Sequence, residues 1–170
     1  MRTIEDLDVN GLRDLLGVYA KNWLAHDGCW FQGIERELGL VAAQRYNNAA
    51  WERFTVIEAQ RILQFLGRQP GEGIDALAEA LGFRIYASVN RQRIVERDQR
   101  HLVFHMNECR VQVARRRKGL ADYPCKSAGI IEYSGFASAI DPRLRTRCIG
   151  CPPDPHPDDW WCAWEFTLDS

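Results

Sequence analysis

The sequence contains no apolar run approaching the roughly 20 residues needed to span a bilayer. At its start, Met-Arg-Thr-Ile-Glu-Asp-Leu-Asp, acidic residues stand where a secretory signal would carry its apolar core, so no signal peptide is expected. Neither sign of charge is in excess: 22 Lys and Arg against 23 Asp and Glu leave a net charge of −1. That balance offers no electrostatic basis for binding nucleic acid or an anionic membrane. Also missing are a nucleophile elbow, a P-loop, a dinucleotide-binding glycine fingerprint and an HExxH helix, which counts against standard hydrolase, kinase and dehydrogenase chemistry. Internal repeats and low-complexity tracts are absent as well. A cytoplasmic location is expected, where thiols stay reduced. Cysteines in that setting are read as metal ligands or reactive thiols rather than as a disulfide framework.

What is present suits a single domain over 1–170, long enough to bury a core without disulfide staples. The hydrophobic share of 46% and the charged share of 26% are ordinary for a globular chain. The expected fold class is α+β, with a helical N-terminal half (1–82) packed on a small antiparallel sheet and further helices in 83–170. Leu12, Leu15, Leu16, Tyr19 and Trp23 recur at helical spacing. His26-Asp27-Gly28 is expected to interrupt this helix before the stripe Trp30, Ile34 and Leu38, which Gly39 closes. A long helix is expected over 41–66, a loop over 67–73 and a short helix over 74–81. Residues 83–89 fit either helix or strand. Residues 93–97 and 101–108 read as a hairpin turning at Asp98-Gln99, with Leu102, Phe104 and Met106 on one face. Helices are expected over 110–118 and 126–140, and strands over 143–149 and 160–168.

Five of the six cysteines lie beyond residue 108. Cys148-Ile149-Gly150-Cys151 is a CxxC pair followed by Pro152-Pro153, and read as a tight knuckle it would bring two thiolates to one tetrahedral ion. Cys125 follows Pro124 at a helix start, where backbone N–H groups favour a thiolate. Cys109 ends a strand and Cys162 lies on the last one. A metal site is therefore expected from Cys109, Cys125, Cys148 and Cys151, with Cys162 in reserve. Zinc is the expected ion, with iron or an iron–sulfur cluster as the alternative. Cys29 reads as a small buried hydrophobe.

Asp154 and His156 follow the CxxC in a proline-rich loop and are the candidate proton carriers. Asp27, Trp30 and Glu35 cluster near the expected helix junction and are candidates to line a ligand pocket; capping by Asp27 and packing by Trp30 are the structural alternative. Three of the six tryptophans fall in the last eleven residues, and Trp164 is the candidate to wall such a pocket. The basic run Arg115-Arg116-Arg117-Lys118 reads as a solvated helix end.

The stretch from Met106-Asn107-Glu108-Cys109 through Pro124-Cys125-Lys126, Ile140-Asp141-Pro142 and Cys148-Ile149-Gly150-Cys151-Pro152-Pro153-Asp154 to Cys162-Ala163-Trp164-Glu165-Phe166 resembles an uncharacterised family of bacterial cytosolic proteins. Asp27-Gly28, Trp30-Phe31 and Trp51 fit the same family. More distantly, Cys109, Cys151 with Asp154, and Cys162 are similar to positions in the aminothiazoline-carboxylate hydrolase family; Cys125 and Cys148 lie outside that pattern. The outline also resembles four-vinyl-reductase domains, which implies a ligand pocket between helices and sheet. The leading expectation is a metal-binding domain that binds or senses a small molecule. The alternatives are a metal- or thiol-dependent hydrolase of a small heterocycle or amide, and a thiol redox protein using Cys148 and Cys151. Neither nucleic acid nor membrane is an expected partner, and self-association is left open.

Overall fold

Capping sets where the first helix starts. In the computed structural model, which describes residues 2–169, Asp8 accepts a hydrogen bond from the Gly11 N–H (2.8 Å) and α1 (Val9–Leu38) begins there. No proline interrupts it, so α1 runs unbroken through His26-Asp27-Gly28, and the break expected there does not occur. Gly39, at a φ of 83°, separates it from α2 (Leu40–Leu66). Gly67 ends α2 in the left-handed region that glycine adopts without penalty. Next comes α3 (Gly73–Phe83), whose first N–H, on Gly73, donates to the buried Asp141 carboxylate (3.0 Å). The ambiguous segment after it is a short 3-10 turn, Ile85–Ser88.

The hairpin then forms as β1 (Arg91–Arg97) and β2 (His101–Glu108), with the Asp98 N–H donating to the His101 carbonyl. Two helices follow, α4 (Arg110–Arg117) and α5 (Lys126–Ile140), before β3 (Leu144–Gly150) and β4 (Cys162–Leu168). The sheet is antiparallel throughout, in the order β1-β2-β4-β3. The fold is α+β, as expected.

The core lies between one face of this sheet and the helices α3 and α5. Phe104 and Phe166 from the sheet meet Leu77, Leu81, Phe136 and Ile140, all buried. Further out, α5 packs on α2 so closely that a Cβ on Gly135 would lie 2.6 Å from Thr55 Cγ2. Thr55 is fully buried and its hydroxyl donates to the Glu132 carbonyl (2.7 Å), so it cannot turn away. Gly135→Ala is therefore expected to lose about 1–3 kcal/mol to overpacking, less up to about 1 kcal/mol regained in helix propensity. Gly17→Ala on α1, where no atom lies within 4 Å of the added carbon, serves as the control. Urea midpoints that fall no further for position 135 than for position 17 would contradict this close approach.

Candidate functional site

Between the helices and the sheet lies a cavity of about 380 Å³. Asp27 and Phe31 reach it from α1, and Asn47 and Trp51 from α2. Tyr86 enters from the 3-10 turn, Gln112 from α4, Glu132 and Tyr133 from α5, and Trp164 from β4. The rings form an ordered wall. Tyr133 stacks on Trp164 with centroids 4.6 Å apart, and Trp51 stacks on Tyr86 at 5.6 Å.

Behind this wall sits a buried ionic trio. Arg84 Nη2 lies 2.9 Å from Glu58 Oε2 and 2.7 Å from Glu132 Oε1. The first carboxylate also accepts from Arg84 Nε, whereas the second contact is close but not aligned as a hydrogen bond. Burial raises the Glu132 carboxyl above the ordinary carboxylate range, and the Arg84 charge offsets part of that rise. Asp27 is also raised by burial, with His26 pulling the other way. Among the wall residues, Trp164 Nε1 is buried with no hydrogen-bond partner among the described residues, while the buried Glu132 Oε1 has its ion pair with Arg84.

Four cysteines line the same cavity: Cys109, Cys125, Cys151 and Cys162. Cys125 and Cys151 are in contact, Sγ to Sγ 3.5 Å. Gln112 clamps the segment before α5: its Nε2 donates to the Tyr123 carbonyl (2.8 Å) and reaches Cys125 Sγ (3.6 Å), while its Oε1 accepts from the Tyr123 N–H (2.8 Å). The hydrogen bond from Cys151 lowers the Cys125 pKa, against the effect of burial, and the same contact raises that of Cys151. Burial, against the Gln112 backbone N–H and with Cys162 and Cys125 nearby, pushes Cys109 up to about 12.

The CxxC reading needs correction. Cys148, Ile149 and Gly150 belong to strand β3, irregular between Cys148 and Gly150, rather than to a knuckle. Cys151 faces the cavity and Cys148 does not; burial raises the Cys148 thiol to about 11. No group of three or more His, Cys, Asp or Glu side chains among the described residues is disposed to hold a metal ion, which overturns the metal-binding function expected from the cysteine spacing. The hydrolase and Cys148–Cys151 redox alternatives gain nothing from this arrangement.

The remaining candidates divide. Asp27 and Trp164 are brought to the cavity. Glu35 is not, and instead forms a two-pronged pair with Arg115 at 2.9 and 3.0 Å, which lowers its carboxyl. Trp30 is exposed on α1, beside a shallow depression lined by Cys29 and Ile34. Asp154 pairs with Lys126 (2.8 Å) and His156 Nδ1 contacts the Pro157 carbonyl (2.8 Å), both outside the cavity. Cys29 is exposed, not buried, because α1 turns that face outward.

Sequence reasoning passed over Arg84, Glu58, Glu132, Tyr86 and Gln112. A signal was available for two of them: Arg84 interrupts Phe83 and Ile85, and Glu132 sits between Ile131 and Tyr133. A charge inside an apolar run is either solvated or paired in the interior, and here both are paired. No described helix is long and apolar enough to cross a membrane.

No curated protein and no solved structure matches the chain, so the likenesses to the hydrolase and four-vinyl-reductase families stay unconfirmed. A family model does match, over residues 5–168, nearly the whole length. The chain belongs to that family, which is described as a family of unknown function (DUF6125).

Proposed function

We propose that this chain binds a small organic molecule in the cavity between α1, α2, α5 and the sheet. The observation that carries this reading is the cavity itself, about 380 Å³ and walled by Trp51, Tyr86, Tyr133 and Trp164, with the Trp164 Nε1 donor left without a partner on one of those wall residues. Buried polar atoms are nearly always hydrogen-bonded. The Trp164 N–H is a donor left over on a residue of the cavity wall, and an acceptor on the ligand is its complement. The cavity's volume falls in the range of small-molecule sites, which are mostly apolar with a few placed polar groups. The ligand is ring-sized, stacks on Trp51, Tyr86 or Tyr133, and carries a hydrogen-bond acceptor.

Ring fragments bearing such an acceptor, screened by thermal shift against matched hydrocarbon fragments, test the reading. The polar set is expected to raise the unfolding midpoint and the hydrocarbon set to do so less. Trp164→Phe keeps the ring but removes the N–H, and is expected to weaken the best fragment by roughly threefold to tenfold, the worth of one hydrogen bond. Failure of every polar fragment to stabilise the wild type, or equal binding by Trp164→Phe, would overturn the assignment.

A further inference from the structure

We infer that Cys125 and Cys151 form a thiol–disulfide exchange site opening on the cavity, with Cys125 as the attacking thiol, Cys151 as the resolving thiol and a low-molecular-weight disulfide as the oxidant.

Three independent features support this. The two sulfurs are already in contact at 3.5 Å, so a bond between them asks only for local movement of side chains. The pair is reached from the cavity, since both residues line it, although Cys151 is buried and Cys125 only partly so. The third feature concerns Cys125 alone: it stands at the N-terminus of the 15-residue α5, where the helix dipole favours an anion, and Gln112 Nε2 points a donor at its sulfur from 3.6 Å. Gln112 is itself buried and held by both backbone groups of Tyr123, so this donor is fixed in place. Cys151, behind Cys125, is placed to attack second. This is not the CxxC pair, because Cys148, on β3, does not line the cavity.

The chemistry closes without a further reagent. The Cys125 thiolate attacks one sulfur of the small disulfide; that S–S bond breaks, and the departing thiolate takes the electron pair and a proton. Cys151 then loses its proton and attacks the Cys125 sulfur of the mixed disulfide, which expels the second small thiol. Two protein thiols are oxidised by two electrons, and one small disulfide is reduced to two thiols.

The experiment uses the full chain, incubated with oxidised glutathione, quenched by alkylation and read by intact mass and peptide mapping. The expected product is a chain lighter by two hydrogens, with Cys125 linked to Cys151. In Cys151→Ser the reaction is expected to stop at one glutathionyl group on Cys125, whereas Cys125→Ser is expected to show at least a tenfold slower loss of free thiol. Cys148→Ser is expected to form the same link as the wild type. A link between Cys148 and Cys151, a link between Cys151 and Cys162, or persistence of all six thiols in the folded wild type would overturn the inference. Because the mapping is done on the wild type, poor folding of a variant leaves the test intact. A null fragment screen in the thermal-shift experiment would leave this result standing, since thiol exchange does not require the ligand.

Discussion

Replacing Arg84 with methionine is expected to cost about 3–5 kcal/mol at neutral pH, the range found when one partner is removed from a buried ion pair. Arg84 is buried, its guanidinium meets both Glu58 and Glu132, and the rings of Phe136 (4.7 Å) and Tyr133 (5.3 Å) close over it. Without it, two carboxyl groups remain in the interior with no counter-charge. The folded variant then keeps protons on them to a higher pH than the unfolded chain does. Where the folded state binds more protons, stability rises as the pH falls. The loss should therefore shrink between pH 7 and pH 5. Glu132 of the wild type carries the same sign in weaker form: its raised carboxyl contributes stability below the ordinary carboxylate value of 4.5, and that contribution is lost as the pH rises through the folded value. Urea denaturation at the two pH values measures both effects. A variant within about 1 kcal/mol of the wild type at pH 7, with an unchanged pH dependence, would show that the trio is not the buried unit described above. Replacing all three residues with neutral side chains of similar size is expected to recover part of the loss, because the desolvation of the charges disappears with them.

Trp164→Ala is the second large effect, at about 3–5 kcal/mol. For a chain of this length that is a fall of roughly 6–20 °C in the unfolding midpoint. Trp164 is buried in the middle of β4, opposite Phe104 and Cys148, and stacks on Tyr133. Its ring also occupies the space beside Gly129, where an added Cβ would lie 2.7 Å from Cζ2. Truncation would merge that space with the ligand cavity, and the strands around it cannot collapse to fill it without breaking their ladder. Trp30→Ala is the comparison: the side chain is 65% exposed on α1 and its loss should stay within about 0.5 kcal/mol. Equal midpoints for the two variants in a calorimetric scan would refute the placement of Trp164.

Much of the fold was legible because its signals are local. Gly39 and Gly67 stand where helices end, and Asp98-Gln99 turns the hairpin. Alternation in 101–108 sets Leu102, Phe104 and Met106 against His101, Val103 and His105; the first three are buried in the structure, and Val103 on the other face is buried as well. The break expected at Gly28 failed because a glycine costs a helix only about 1 kcal/mol, and nothing else in that segment leaves the helix. The start of β4 at Cys162 rather than Trp160 is a smaller shift of the same kind.

The cysteine site was legible as a cluster but not as an arrangement. Spacing alone suggested that Cys148 and Cys151 act together; in the structure the start of α5 brings Cys125 into contact with Cys151, and Cys148 does not line the cavity. The ionic trio was legible only as two charges inside apolar runs; its pairing was not, since Glu58, Arg84 and Glu132 come from α2, the start of the 3-10 turn and α5. By itself the sequence determined the helices, the hairpin, the α+β class and the gathering of thiols in the second half, because capping, periodicity and composition act within a few residues. Only the tertiary structure decided which thiols touch, which charges are buried together and that a cavity lies among them. Those are facts about groups far apart in the chain, and what brings them together is the packing of α2 and α5 against the sheet.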